Sequence, residues 1–485
     1  MPYWFPETVS EFITAAGEHA PALCHMLVDA MLVDAINLPR FVLAEQILPN
    51  RAITHIPEHI RKEMSEAGIA SQFRPGARIA VGVGSRGIAN IQLIVRSVVS
   101  FLKEHGANPF VFPAMGSHGA ATAEGQTDVL AHYGIDEAGV GAPVVSSLEV
   151  SSLGKTPEGM EAYLDKNAYN SDGVFLIGRV KWHTDFSGAL ESGLFKMMAI
   201  GLGKFAGAVQ YHTFAYKLGL EEVIRSVGAK VFATGKILGG LAVQEGAHHE
   251  TAGLVAVSAA HGVQAMMARE EELLREVKSW MAKLPAPEID ILIVDEIGKN
   301  ISGAGMDTKV INRAIQGNYN PFPDTPVVHR IYARALSELS YRNAVGVGLA
   351  DVIHDRLLNA VDWNPTYINS LTASTPSAIR TPIHFSSDRE ALTRIARTVG
   401  KAHLPDVTYC RIRNTMELMH VEVSENLIPT LYPHVRVVSA PFDVQWNAEG
   451  DFEAYPWAKE APEDAGDFEG ALQTANAAAG ESVRG

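Results

Sequence analysis

Residues 181–212 read KWHTDFSGALESGLFKMMAIGLGKFAGAVQYH. His183, Lys196, Lys204 and His212 stand there among small and apolar side chains and five glycines. The run GVFLIGRV (173–180) has the make-up of a buried strand and leads straight into the segment. A lysine inside SGLFKMMAI costs desolvation unless it is paired, so Lys196 reads as a functional amine or as a side chain reaching out to solvent. In an apolar pocket such an amine loses its proton and becomes a nucleophile or a covalent anchor. Lys204, in GLGKF, reads as a surface lysine or one that contacts a phosphate.

Upstream, ARIAVGVGSRG (77–87) is a short strand running into a glycine turn. IANIQLIVRSVVSFLKEHGA (88–107) follows, with apolar residues at helical spacing and a glycine stop. NPFVFPAMGSHG (108–119) is a second strand ending in a loop, and TAEGQTDVLAHYGI (122–135) a further helix. Downstream, KVFATGKIL (230–238) and GLVAVSA (253–259) read as strands, and GVQAMMAREEELLREVKSWMAKL (262–284) as a long helix stopped by Pro285. The turn PAPEID marks a domain boundary, because a fresh strand, DILIVDEIG (290–298), begins there. VVHRIYARAL, VGVGLADVI, PIHF and DREALTRIARTVG continue a second α/β unit.

This alternation predicts an α/β fold: two α/β domains with mostly parallel sheets covered by helices, and an active site in the cleft between them. The expected division is 1–284, with the cofactor and acid/base residues, then 285–430, then a return segment 431–458. The acidic, Ala- and Gly-rich tail 459–485 has no periodicity and reads as disordered.

Composition narrows the function classes. The 485 residues are 47% hydrophobic and 20% charged, which is globular, and the net charge of -15 lacks the basic footprint of a nucleic-acid binder. The two cysteines, Cys24 and Cys410, have no metal-type spacing and fit a reducing compartment. MPYWFPETVSEF has neither the basic head nor the apolar run of a secretory signal. ALCHMLVDAMLVDAINLPRF carries Asp29 and Asp34 and reads as a buried amphipathic helix, not a membrane span. The expectation is a cytoplasmic protein that binds neither nucleic acid nor membrane.

Several residues are placed for chemistry. GVGSRG (82–87) matches the G-x-G-x-x-G dinucleotide pattern, yet the acidic ribose anchor is missing from the next strand, which ends in Pro113. A helix start beside Ser85 and Arg86 suits an anion more generally. His118 and His183 each follow a strand, and strand ends line the ligand crevice of an open parallel sheet. Together they make a pair of general acid/base groups near neutral pH, with Asp185 able to orient the second. Lys299, Asn300 and Ser302 lie in a loop after the strand at 290–298 that would suit a carboxylate. His248, His249 and Glu250 read as surface. No H-E-x-x-H, C-x-x-C, P-loop or G-x-S-x-G is present.

GSHG (116–119), H-T-D-F-S-G with E-S-G-L-F-K (183–196), and the closing His212 together resemble the nickel-pincer lactate racemase superfamily, over about residues 75–440. The resemblance implies a nickel-pincer nucleotide of the pyridinium-3-thioamide-5-thiocarboxylate mononucleotide type, tethered to Lys196, with His212 as nickel ligand. It implies His118 and His183 as the two acid/base histidines; beside it, Ser85, Arg86 and Lys204 are expected around the cofactor. Arg86, Lys299 and Asn300 would meet the substrate, and the glycines would admit the bulky cofactor. The implied activity is a racemase or epimerase of a 2-hydroxy acid, and the implied partners are that acid and the proteins that make the cofactor. Self-association is left open.

The chain departs from the family's pattern in three places. The interval from His183 to Lys196 is longer, the early D-x-T-R is VGSR (83–86) without its aspartate, and Gly119 follows His118 where arginine is frequent. These changes point away from lactate itself. An NAD-dependent oxidoreductase and a non-catalytic carboxylate- or nucleotide-binding relative are the alternatives.

Overall fold

The computed structural model describes residues 37–457, except 85, 86, 117 and 185. The expected N-terminal helix and the tail from 459 lie outside these residues. In chain order the strands are β1 (Phe41–Gln46), β2 (Arg78–Val83), β3 (Asn108–Pro113), β4 (Val150–Lys155), β5 (Glu161–Asp165), β6 (Gly173–Arg179), β7 (Ile237–Glu245) and β8 (Thr251–Ser258). They continue with β9 (Glu288–Ile297), β10 (Val327–Leu336), β11 (Val352–His354), β12 (Ile383–Phe385), β13 (Tyr409–Ile412), β14 (His420–Ser424) and β15 (Val435–Val437). The described chain divides into two compact units, one of 48–282 with 371–374 and one of 37–47, 283–370 and 375–457.

The first unit is built on a five-stranded sheet in the order β3-β2-β6-β7-β8, parallel except for the last pair. Its central strands are apolar on both faces, as expected of a parallel sheet covered by helices. Alternate residues serve different layers. Ile79, Val81, Val83, Val111, Phe175 and Ile177 pack with Ile94, Val95, Val98 and Leu102 of the helix Ile91–Glu104. Ala80, Phe110, Phe112, Val174 and Leu176 face the opposite layer, with Val223 and Val227 of the helix Leu220–Phe232 and Leu273 and Val277 of the helix Val263–Trp280. Each such Val, Leu, Ile or Phe side chain contributes about 1.5–3 kcal/mol relative to remaining in water. β4 and β5 form a separate antiparallel pair.

The second unit holds an eight-stranded sheet, β12-β11-β10-β9-β13-β14-β1-β15. Its first five strands are parallel and the remainder antiparallel. The sequence expectation placed residues up to 284 together, whereas β1 pairs with β14 in this sheet, Phe41 opposite Ser424. Local periodicity cannot reveal a pairing between segments so far apart in the chain.

One strand expectation also changes. KVF of KVFATGKIL ends the helix Leu220–Phe232, where its valine continues an apolar stripe, and β7 starts only at Ile237. VGVGLADVI is mostly turn, with a short 3₁₀ helix at Val347–Leu349 before β11. No helix among the described residues is long and apolar enough to cross a membrane.

Candidate functional site

The C-terminal ends of β3, β2 and β6 lie side by side, with β2 in the middle. Beyond β3 the chain runs through buried Ala114 and Met115 to an exposed His118. Beyond β6 it passes buried Val180 and Trp182 to a half-buried His183, whose ring lies 4.7 Å from that of Phe186. The two sequence-predicted histidines therefore follow the strands on either side of β2. Ser85 and Arg86, which follow β2, and Asp185 lie outside the described residues.

The His183 loop is closed at its base by reciprocal backbone hydrogen bonds between Lys181 and Ser192, both 3.2 Å. Inside it, the buried Glu191 carboxylate accepts the amides of His183 and of Gly188 and pairs with Lys278 of the helix Val263–Trp280. Glu221 accepts the amides of Ala189 and Leu190 at 3.3 Å. One carboxylate of the loop itself, Glu191, and one from the packed helix Leu220–Phe232, Glu221, thus hold a loop that has no regular structure of its own.

After Gly193 comes a helical turn, Leu194–Lys196, then a π-helical stretch, Met197–Gly201, then the helix Lys204–Leu218. Single π-turns recur at functional positions, because the extra residue swings side chains out of the ordinary helical phase. This stretch lies against the strand ends. A Cβ on Gly201 would sit 2.8 Å from the Ala114 carbonyl oxygen, and one on Gly116 would sit 3.1 Å from Ala208 Cβ. The glycines were expected to admit a bulky ligand; at these positions they allow helix and strand ends to touch, which is a different role.

Lys196 is half-buried in this turn, and His212 is half-buried on the following helix. Burial, and next the nearby Lys196 ammonium, hold the His212 imidazole below its usual titration range, so its neutral form is favoured. A neutral imidazole is the form that ligates a metal.

Lys204, read from the sequence as a surface lysine or one that contacts a phosphate, is not at the surface. It is 0% exposed and takes a left-handed backbone conformation at φ 52°. Its ammonium donates to the Pro113 carbonyl at 2.8 Å and to Gln126 Oε1 at 2.6 Å, with Asp165 Oδ2 3.7 Å away. Burial lowers its pKa to about 8 and raises that of Asp165, the opposite charge working against both shifts. Gln126 in turn donates to the carbonyls of Gly116 at 3.1 Å and His118 at 3.3 Å. Lys204 therefore anchors the His118 loop from within.

Lys299 and Asn300 belong to the other unit. The Lys299 ammonium donates to Asn369 Oδ1 and its amide to Ser340 Oγ, and Asn300 donates to Ser337 Oγ at 3.2 Å. His248 and His249 are exposed, as expected, and His248 Nε2 lies 3.1 Å from the Leu48 carbonyl.

Among the described residues, His354, Asp388 and Asp451 bring three metal-type donors within 4.8 Å of one another. Their hydrogen bonds argue against an ion. His354 Nδ1 accepts the Arg356 amide, so Nε2 carries the proton and donates to Asp451 at 3.0 Å. Asp388 accepts from Tyr332 and Arg334, and Asp451 pairs with Arg356. The arginines already supply the positive charge a cation would bring.

Sequence reading missed Glu191, Glu221, Gln126 and Glu270. Glu270 left a signal: it falls in phase with Met266, Met267, Leu273, Leu274 and Val277, on the buried stripe of its helix. The G-x-G-x-x-G context also changes, because the helix after β2 begins only at Ile91, behind Asn90 at φ 61°, and does not open at the glycines.

No family model matches the chain, and no curated protein matches it. Several solved structures are similar to it. A Thermotoga maritima protein from a structural genomics consortium is 13% identical with a TM-score of 0.44, over 69% of this chain and 84% of its own. The lactate racemase apoprotein from Thermoanaerobacterium thermosaccharolyticum is 14% identical with a TM-score of 0.40, over 74% of this chain and 86% of its own.

Proposed function

We propose that the chain is a racemase or epimerase of a 2-hydroxy acid other than lactate, working with a nickel-pincer nucleotide. The observation that carries the reading is the proximity of Lys196 and His212: a lysine at the entry to a π-helical stretch, near a histidine whose neutral form is favoured. These residues suit such a group. Lys196 would hold it covalently through its amine, and His212 would offer a nitrogen lone pair to nickel. When bound, the nucleotide supplies an acceptor for the hydride on the carbon that bears the hydroxyl.

The chain's own part is proton handling and binding. His118 and His183 follow the strands flanking β2, so a substrate seated over the β2 end would have one imidazole on each side. One takes the hydroxyl proton, and the other, already protonated, gives its own proton to the oxygen as the opposite hand forms, the two exchanging roles in the reverse direction. Ser85 and Arg86 are proposed to bind the carboxylate. Lys204 is left out of the cofactor set because its ammonium is committed to Pro113 and Gln126. Lys299 and Asn300 are left out because their side chains bond to Asn369 and Ser337 of their own unit.

The test is intact-protein mass spectrometry with metal analysis, after expression alongside the cofactor-making proteins. The expected result is added mass on Lys196 with bound nickel, both lost in Lys196→Ala while the melting transition stays in place. His118→Ala and His183→Ala should keep the added mass and nickel and lose the interconversion of hydroxy-acid enantiomers or epimers. A wild-type chain that stays unmodified and metal-free would sink the reading; NAD titration would then separate an oxidoreductase from a non-catalytic binder.

A further inference from the structure

We propose that Glu270 is a positioning residue for Lys196: its carboxylate holds the two backbone amides immediately before the lysine, so its charge state sets how the amine is presented. The inference rests on the reading of Lys196 as the reactive amine. Glu270 sits on the helix Val263–Trp280 and is 1% exposed. Its Oε2 accepts the amide of Leu194 at 2.8 Å and that of Phe195 at 3.2 Å. The chain makes room for it, since a Cβ on Gly193 would collide with Oε1. Phe195 is itself locked, 0% exposed, with Gly228 close against its ring. A shift of the carboxylate therefore passes to the turn that bears Lys196.

The arrangement is an odd one for a structural cap. Oε1 is buried and has no hydrogen-bond partner, so half the acceptor capacity goes unused. A glutamine would satisfy the same two amides without a buried charge. Burial, opposed by the two amides and by Arg225, pushes the Glu270 carboxyl up to about 7. The other charged group that acts on it is Glu271 on its own helix, and Arg225 is shared with Glu271 and with Glu221 of the helix Leu220–Phe232. The site can thus change charge near neutrality beside the lysine. His212, the other titrating neighbour of Lys196, does so at lower pH.

The experiment labels the full-length, cofactor-free protein with trace acetic anhydride between pH 6 and 9. Lys196 is quantified by peptide mass spectrometry against the exposed Lys62. In the wild type, the ratio should step by about fivefold near pH 7, superimposed on the smooth ionisation of both amines. Glu270→Gln, which can accept the same amides, should fold and lose the step. Glu270→Asp, charged but one carbon short, should keep a smaller step. A merely structural cap would alter melting and leave the profile alone.

Identical profiles in wild type and Glu270→Gln overturn the proposal, as does a Lys196 that labels at no pH. The assay uses neither cofactor nor substrate, so the two readings fail separately. A Glu270-dependent step in a chain that never takes up nickel upholds the positioning role and sinks the proposed function. A loaded, active enzyme whose Glu270→Gln variant labels unchanged does the reverse.

Discussion

Two polar clusters, one in each unit, are built on opposite principles. In the eight-stranded sheet, Arg334, Arg411, Asp295, Asp388 and Glu422 form a buried network in which every carboxylate faces an arginine. Arg334 pairs with Asp295 at 3.0 Å and Asp388 at 2.6 Å, and Arg411 with Asp295 at 2.8 Å and Glu422 at 3.3 Å. Around residues 181–212 the titrating groups are instead left in discord. Glu270 is pushed up, His212 is held down, and Lys204 is drawn down to about 8. A saturated network fixes a scaffold. Groups shifted by burial with only part of their partners can exchange protons near neutrality, which is what catalysis uses.

The sharpest way to break this contrast is to unbalance the saturated network. Asp388→Ala leaves Arg334 and the Tyr332 hydroxyl short of a buried acceptor, and should cost about 3–5 kcal/mol of stability by urea unfolding. Burial alone would raise the Asp388 carboxyl, but the Arg334 hydrogen bonds and charge outweigh it and hold it below the usual carboxylate range. Its stabilisation is therefore complete above the unfolded value near 3.8 and lost as pH falls through the lower folded value, so wild type and variant should converge in acid. If Asp388→Ala melts like the wild type, the network is not the scaffold of this unit.

Lys204→Met tests the boundary between the two principles. It removes the ammonium that ties Pro113, Gln126 and Asp165 together, at a cost of about 2–3 kcal/mol. The cost is smaller than for Asp388 because the Asp165 carboxyl, already raised by burial, can keep its proton once the lysine is gone. Because Gln126 also holds the His118 carbonyl, amide hydrogen exchange around residues 114–121 should speed up by about tenfold or more, while that around 181–193 stays as it was. Equal loosening of both loops would deny Lys204 its anchoring role.

These cases show what a sequence can disclose. β2, β3, β6 and the helix Ile91–Glu104 were legible, because strand and helix periods are local properties of apolar residues. The antiparallel half of the large sheet was not, since β1 finds β14 across most of the chain. Lys204 was misjudged for the same reason: its partners Pro113, Gln126 and Asp165 are distant in sequence, and a lysine without visible partners reads as exposed. His118 and His183 stood out because each directly follows a strand. The carboxylates that hold the site did not, because a glutamate within a charged run such as AREEELLREV hides among solvated neighbours.

An effect of similar size is expected at Glu270, where function and stability should pull apart. Its folded pKa lies above the unfolded value of 4.5, so between there and about 7 the native state holds a proton that the unfolded chain releases. Stability therefore falls as pH rises through that window, by up to ~1.4 kcal/mol for every pH unit crossed. Glu270→Gln removes the penalty while keeping an acceptor for the Leu194 and Phe195 amides. Relative to the wild type, the variant should gain about 2–3 kcal/mol on going from pH 5 to pH 8, read from paired urea curves. A gain independent of pH would mean that the carboxyl never carries charge in the fold. A loss that grows toward pH 8 would mean that its anion is stabilised, and Glu270 would then belong with the saturated network, not with the site.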